Sequence, residues 1–178
     1  PEMATITVEN VRKFMRDSPD LPLFGICLGN QILALSSGAK TYKMKFGNRG
    51  MNQPVMDLRT SRCYITPQNH GFAVDEATLC KDWKPFFRNA NDHSNEGIIH
   101  CYKPWFSVQF HPEAQGGPRD TEFLFDMFLS RISKRNHYEV TILDRIYHNF
   151  THIGSNRVEK VLLLGSGGLS IGQAGEFD

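Results

Sequence analysis

Three things are missing from this sequence, and each absence excludes a class of function. Its four cysteines, at positions 27, 63, 80 and 101, include no C-x-x-C pair, so we predict neither a metal site nor a redox dithiol. The net charge is +1, which gives no reason to expect a nucleic acid as partner. No apolar run approaches the ~18 residues of a membrane span, so we expect no membrane partner either.

What is present is an alternation of strand and helix signals, which predicts an α/β fold with an open, mostly parallel sheet and flanking helices. Apolar side chains recur at helical spacing over residues 7–16, and a second helix is expected over 28–37. Residues 22–26 form an apolar run without alternation, which is typical of a central strand covered on both faces. Asp120 is expected to cap a third, amphipathic helix. Shorter strands are expected around six residues: Tyr42, Val55, Tyr64, Phe72, Phe87 and Ile98.

Cys27 lies where the predicted strand 22–26 turns into the helix that follows. It is flanked by Gly25 and Gly29, at positions where a tight strand-to-helix turn is expected to tolerate no side chain. A thiol at a helix N-terminus has its pKa lowered by the helix dipole, and nearby backbone N–H groups can hold an oxyanion. A lone cysteine is more often a small structural residue, which is how we interpret the other three: Cys63, Cys80 and Cys101.

His111 follows a second strand, predicted over residues 105–109 from its alternating pattern. The end of that strand places the imidazole at the sheet edge where the turn would present Cys27. Glu113, two residues later, can accept a hydrogen bond from the imidazole and fix its tautomer. Although a lone histidine is more often a structural residue, the two motifs together predict a nucleophile, base and orienting group: Cys27, His111 and Glu113.

These motifs resemble those of the class I, triad-type glutamine amidotransferases. Four further stretches, in order, resemble the glutaminase part of carbamoyl-phosphate synthases in particular: residues 40–44, 47–50, 52–55 and 68–74. The resemblance covers residues 1–133 and implies a domain that hydrolyses glutamine. The ammonia would serve the synthesis of carbamoyl phosphate from bicarbonate and ATP, the first step of de novo pyrimidine biosynthesis.

The resemblance also implies the residues that contact the substrate glutamine: Leu28, Gln31, Asn69, Gly71 and Phe72. From the residues alone, the stretch 69–71 is more readily interpreted as a plain turn. In the family, a Gly-Pro-Gly loop that supplies an oxyanion-hole amide falls just before the point that corresponds to Pro1. We therefore expect the chain to be a piece of a longer polypeptide.

The last part of the chain predicts the beginning of another domain. Residues 159–178 contain an apolar run followed by a glycine-rich turn, which predicts the first strand, turn and helix of a second α/β domain. This segment resembles the start of the synthetase part, the expected partner within the same polypeptide. ATP and Mg²⁺ or Mn²⁺ would bind in the remainder of that part, and no cofactor is expected in the glutaminase part. Residues 134–158 would be a linker, either a short docked helix or a loosely ordered segment.

The fusion of both parts resembles the multifunctional pyrimidine enzymes, which implies a cytoplasmic protein that forms homo-oligomers. Asn30 stands where many relatives have histidine and where the urea-cycle-type synthases often have asparagine. A mitochondrial enzyme of that type therefore remains an alternative. Two further alternatives remain open, a thiol hydrolase of another kind on the same scaffold and an inactive regulatory remnant.

Overall fold

The computed structural model describes residues 4–113 and 117–133 of the chain. The predicted linker over 134–158 and the predicted start of a second domain over 159–178 lie outside these residues. The described part contains, in order, α1 (Thr5–Asp17), β1 (Leu23–Ile26), α2 (Leu28–Ser36), β2 (Lys40–Asp57), β3 (Arg62–Asp75), a 3₁₀ turn (Glu76–Thr78), β4 (Trp83–Asn89), β5 (Asn95–His100), β6 (Trp105–Val108) and α3 (Phe123–Ser133).

The six strands form one sheet in the order β1-β6-β5-β4-β2-β3. The predicted α/β fold with flanking helices is confirmed, but the sheet is mixed rather than mostly parallel. Among the described strands, β1 and β6 pair in parallel and the other four pairings are antiparallel. Strands β2 to β6 follow one another through short connections, whereas a parallel pairing needs a crossover of about a dozen residues or more. The sequence predicted a central strand over residues 22–26. Strand β1 instead lies at the edge of the described sheet.

Strand β6 shows how the two faces of the sheet are divided. Phe106 belongs to a buried apolar cluster that includes Leu124 of α3. Its neighbour Trp105 belongs to a second cluster, which includes Leu33 of α2. Each large apolar side chain buried in this way stabilises the fold by about 1.5–3 kcal/mol, so the alternation strongly specifies the register. Side chains at positions 105, 107 and 109 consequently face α2.

The predicted elements are confirmed with some shifts in their ends. All six residues around which short strands were expected lie in strands, which merge into four longer ones. Helices α1 and α2 begin and end within two residues of the predicted positions. Helix α3 begins at Phe123, so Asp120 does not directly precede it. The stretch 69–71 lies inside β3, and the interpretation of it as a turn is wrong.

A membrane span would need a longer and more apolar helix than any in the described part of the chain.

Candidate active site

Cys27 has a backbone conformation that non-glycine residues rarely adopt. Its φ is 53° and its ψ is −104°, and it joins the last residue of β1 to the first residue of α2. Such a conformation costs about 1–3 kcal/mol and persists only where the surroundings enforce it. The Cys27 N–H donates a hydrogen bond of 2.9 Å to the carbonyl oxygen of Val108, the last residue of β6. The parallel pair of strands thus holds the thiol at their common carboxyl edge.

The two glycines that flank Cys27 differ in what they contribute to this turn. A Cβ on Gly25 would lie 2.6 Å from the carbonyl oxygen of Gly29, which is too close for any side chain. A Cβ on Gly29 itself would meet no heavy atom of the described residues within 4 Å. The prediction that the turn excludes a side chain is therefore confirmed at Gly25 and wrong at Gly29.

His111 lies three residues beyond the end of β6, on the same sheet edge as Cys27. The backbone N–H of His111 donates a hydrogen bond of 2.9 Å to the carbonyl oxygen of Pro67 in β3. The imidazole Nδ1 lies 2.7 Å from Oε1 of Glu113, which is the geometry that an orienting carboxylate requires. Both side chains are partly exposed, at 35% for His111 and 41% for Glu113.

The Cys27 thiol and the His111 imidazole share this edge without a direct hydrogen bond between them. Within the described residues, the sulfur instead accepts a hydrogen bond from the side chain of Gln109. Catalytic hydrogen bonds are often long or misaligned in the absence of substrate and tighten only when it binds. The contact between thiol and imidazole therefore stays a prediction.

Burial raises the pKa of the Cys27 thiol above its ordinary value. The Leu28 N–H lowers this pKa, the negative charge of Glu113 raises it, and the Gln109 side chain lowers it. The helix N-terminus lowers the pKa as expected, through the Leu28 N–H, but the net shift is upward because desolvation outweighs this donor. A thiol of this kind is mostly protonated at neutral pH and needs a base to become a nucleophile.

Gln109 is a site residue that the sequence analysis missed. Its side chain is fully buried and its Nε2 lies 3.8 Å from the Cys27 sulfur. Its Oε1 accepts hydrogen bonds from Asn30 Nδ2 at 3.2 Å and from Gln31 Nε2 at 3.1 Å. Ser107 Oγ completes the group by donating to Asn30 Oδ1 at 2.8 Å. We call these four residues the amide network: Asn30, Gln31, Ser107 and Gln109. The alternation in β6, which directs 107 and 109 towards α2, was the available signal.

The residues expected to contact glutamine lie on α2 and β3. Leu28 is 60% exposed and Phe72 is 41% exposed, so both can be reached by a ligand. Gln31 Nε2 donates a hydrogen bond of 3.3 Å to the Phe72 carbonyl oxygen and so joins the two elements. Asn69 and Gly71 lie on β3 on either side of the buried His70. They precede Phe72 on the same strand. The structure thus brings Leu28, Gln31 and Phe72 to the turn at Cys27 and places Asn69 and Gly71 on the strand beside it.

The buried side chain of His70 contacts the backbone of the same part of β3. Its Nδ1 lies 3.0 Å from the Phe72 carbonyl oxygen, and its Nε2 lies 3.1 Å from Gln68 Oε1 and 3.3 Å from Glu96 Oε1. Burial raises the pKa of Glu96, and the Oε2 atom of this carboxyl has no hydrogen-bond partner in the described residues. This pair was not predicted from the sequence, since its two members are far apart in the chain and meet only in the folded structure.

The other cysteines and the metal-ligating side chains add no second centre. Cys63 and Cys80 are exposed and Cys101 is half-buried, so none of the three is a fully buried core residue, and their interpretation as structural residues stays a prediction. In residues 4–113 and 117–133, no three His, Cys, Asp or Glu side chains are grouped so that they could hold a metal ion.

Residues 1–131 match the family model described as "Glutamine amidotransferase class-I". The chain therefore belongs to the class I glutamine amidotransferases. The predicted class of protein is confirmed by this match.

Curated relatives are similar along the chain. The Multifunctional protein CAD of Squalus acanthias is 52% identical over 100% of the chain, which spans 8% of that protein. The Multifunctional protein URA2 of Saccharomyces cerevisiae is 57% identical over 88% of the chain and 7% of that protein. The mitochondrial carbamoyl-phosphate synthase (ammonia) of Homo sapiens is 52% identical over 100% of the chain and 12% of that protein. The chain thus covers a small part of each of these proteins.

Solved structures of low sequence identity share the fold. A protein of Thermoplasma acidophilum described as part of a GMP synthase superposes with a TM-score of 0.60 at 23% identity, covering 71% of this chain and 64% of that one. A glutamine amidotransferase of Thermotoga maritima superposes with a TM-score of 0.52 at 22% identity, covering 73% and 57%. At these identities the likeness establishes the fold alone.

Proposed function

We propose that this chain is the glutaminase part of a glutamine-hydrolysing carbamoyl-phosphate synthase in a multifunctional protein of pyrimidine biosynthesis. The observation that carries the proposal is the position of Cys27. It lies at a backbone turn enforced by its surroundings, at the sheet edge that also holds the His111–Glu113 pair. The similarity of the whole chain to multifunctional proteins supports the choice of pathway.

In the proposed reaction, the Cys27 sulfur attacks the side-chain amide carbon of glutamine. His111 takes the thiol proton and delivers it to the departing nitrogen, which leaves as ammonia while a thioester forms. The same imidazole then removes a proton from water, whose oxygen attacks the thioester carbon. Glutamate is released and the thiol is restored. Glu113 holds Nδ1, which leaves Nε2 to carry the proton in each step.

The Leu28 amide is the donor available for the oxyanion of the tetrahedral intermediate. It occupies the first position of α2 and lies against the Cys27 sulfur. A backbone donor of this type is worth about 3–4 kcal/mol of transition-state stabilisation. Gln31 and the exposed Phe72, joined by their hydrogen bond, are the proposed contacts of the substrate's amino-acid end, with Asn69 and Gly71 beside them.

The ammonia would pass to a synthetase part of the same polypeptide. There it would react with bicarbonate in steps that use ATP and Mg²⁺ or Mn²⁺. We propose a cytoplasmic, homo-oligomeric protein, as the likeness to multifunctional proteins suggests. Cell fractionation and the mass of the full-length protein in solution test these two statements.

Replacing Cys27 by serine in the full-length protein tests the proposed function. We expect glutamine-dependent synthesis of carbamoyl phosphate to fall by roughly a thousandfold or more, because the nucleophile is lost. Synthesis from added ammonium salt is the internal control and should be unchanged. If the serine variant still used glutamine at the wild-type rate, Cys27 would not be the nucleophile. A glutamine-analogue chloroketone that failed to label Cys27 would favour an inactive remnant.

A urea-cycle-type synthase is the second candidate. Identity to the human mitochondrial enzyme is 52%, which equals that to several multifunctional proteins, and Asn30 is compatible with this type. The reading frame beyond Asp178 distinguishes the two. Dihydroorotase and aspartate transcarbamoylase parts after the synthetase would support the pyrimidine enzyme, and their absence from the full-length protein would support the other.

A further inference from the structure

We propose that Gln109 is a catalytic residue, whose buried amide holds the Cys27 sulfur and stabilises its thiolate through an N–H···S hydrogen bond. This inference rests on the proposed function, since it assigns a role within the same hydrolytic site. Gln109 keeps its own protons throughout: His111 takes the thiol proton, and the amide only donates a hydrogen bond to the sulfur.

The orientation of the Gln109 amide follows from its neighbours. The Phe72 carbonyl oxygen can only accept, so Gln31 must present its NH₂ group there at 3.3 Å. The same NH₂ group lies 3.1 Å from Gln109, which must therefore present its oxygen to Gln31. The NH₂ group of Gln109 is left facing the Cys27 sulfur at 3.8 Å. One backbone carbonyl thus determines, through two side chains, that a donor and not an acceptor meets the thiol.

The surroundings of the sulfur make such a donor valuable. The carboxylates of Glu113 and Glu96 both disfavour a negative charge on Cys27, and so does burial. The opposing groups are the Leu28 N–H and the Gln109 amide. During the reaction the Leu28 N–H is also required by the oxyanion. Because Gln109 is fully buried, water does not compete with its amide as the hydrogen-bond donor to the sulfur. A hydrogen bond to a charged acceptor is stronger in such an environment.

The amide network also gives Gln109 a fixed position relative to the substrate contacts. Its oxygen is held by Asn30 and Gln31, and Gln31 reaches the Phe72 carbonyl on β3. A chain of hydrogen bonds through Gln109 and Gln31 therefore connects the sulfur to β3, the strand that is expected to bind glutamine. Loss of the Gln109 donor should affect the chemical step, seen in kcat, more than glutamine binding, seen in KM.

The test uses Gln109→Met in the full-length protein, because methionine has a similar shape and no N–H donor. The probe is iodoacetamide, and the rate of Cys27 alkylation is measured against pH. We expect the alkylation profile to move to higher pH by about one unit, and kcat for glutamine hydrolysis to fall by about ten- to a hundredfold. KM should also rise, because methionine lacks the oxygen that accepts from Gln31, a proposed glutamine contact, so the alkylation profile is the readout that isolates the lost donor. Gln68→Met is the matched control, since Gln68 is also a buried glutamine but lies on β3 against His70. It should leave the alkylation profile in place.

A fall in kcat with an unmoved alkylation profile would overturn the proposal, because it would show that Gln109 has only a structural role. Gln109→Asn provides a second test if the methionine variant does not fold. It keeps an amide but withdraws the donor by one methylene, so a profile shift in the same direction is expected and a wild-type profile would contradict the proposal. The alkylation readout does not require glutamine. A shifted profile in a protein that never hydrolyses glutamine would therefore reject the proposed function and leave the hydrogen bond established.

Discussion

The two halves of the proposed catalytic pair are held in opposite ways. Cys27 is fixed by a backbone turn, by close contact between Gly25 and Gly29, and by a buried amide that belongs to a larger network. His111 follows the end of a strand and is oriented by Glu113, with both side chains more than a third exposed. The nucleophile is therefore half-buried and held by uncharged groups, whereas the base is partly exposed and oriented by a carboxylate.

This difference has a physical reason. A thiolate is formed only during the reaction, so neutral donors placed around it stabilise it without a permanent buried charge. A base must exchange protons with its surroundings, and partial exposure lets the imidazole do so. The buried pair of His70 and Glu96, beneath the strand that carries Phe72, is the exception. There an ionisable group is buried on the substrate side of the site.

The largest expected effect concerns the turn that holds the nucleophile. Gly25→Ala should lower the free energy of unfolding by about 2–3 kcal/mol, because the new Cβ would be forced against the Gly29 carbonyl. Gly29→Ala is the matched control and should raise it by about 0.5–1 kcal/mol, since a helical glycine is replaced with no new contact. Hydrogen exchange of the α2 amides in the full-length protein measures both. Equal effects of the two substitutions would contradict the described packing of the turn.

A smaller effect is expected at the buried pair, and it depends on pH. Burial raises the pKa of Glu96 in the folded protein, so the folded state favours its protonated form. The resulting stability is present at acidic pH and is lost as the pH rises above the value for the unfolded chain, near 4.5. Glu96→Gln does not titrate, so its stability relative to the wild type should increase from about pH 4 to about pH 7. Denaturation midpoints across this range measure the difference.

The control for this experiment is Glu122→Gln, which removes a partly exposed carboxylate that pairs with Arg119. A wild-type protein that became more stable than the Glu96→Gln variant as the pH rose would show that His70 fully compensates the buried charge. In that case the buried carboxylate would carry no pH-dependent cost, and the His70–Glu96 pair would no longer be an exception to the contrast between the two sides of the site.

The sequence predicted the parts of this molecule that depend on local patterns. The turn at Cys27 was predictable because a strand, a glycine and a helix follow one another there. The His111–Glu113 pair was predictable because its members are two residues apart. Strand direction could not be obtained in the same way. The mostly parallel sheet was expected from the alternation of strand and helix signals, whereas the long β2–β3 hairpin pairs antiparallel.

Site residues whose partners are distant in sequence were also missed. Gln109 meets Cys27 across 82 positions, and Glu96 on β5 meets His70 on β3 although these two strands do not pair with each other. The upward net shift of the Cys27 pKa was missed for a related reason. The helix N-terminus is visible in the sequence, but the burial that outweighs it is a property of the packed fold. What a single sequence lacks is thus the desolvation and the long-range partners, and both determine the chemistry of the thiol.

The smallest expected effect concerns the exposed side of the catalytic pair. In Glu113→Gln, the new amide oxygen can still accept from the imidazole Nδ1, and a partly exposed carboxylate stabilises its partner by only about 0–1 kcal/mol, so kcat should fall by about fivefold or less. Because the charge of Glu113 raises the pKa of Cys27, its removal should move the alkylation profile to lower pH, opposite to the shift expected for Gln109→Met. Iodoacetamide titration of both variants measures the two signs side by side. Shifts in the same direction would mean that the buried and the exposed partners do not act differently on the thiol.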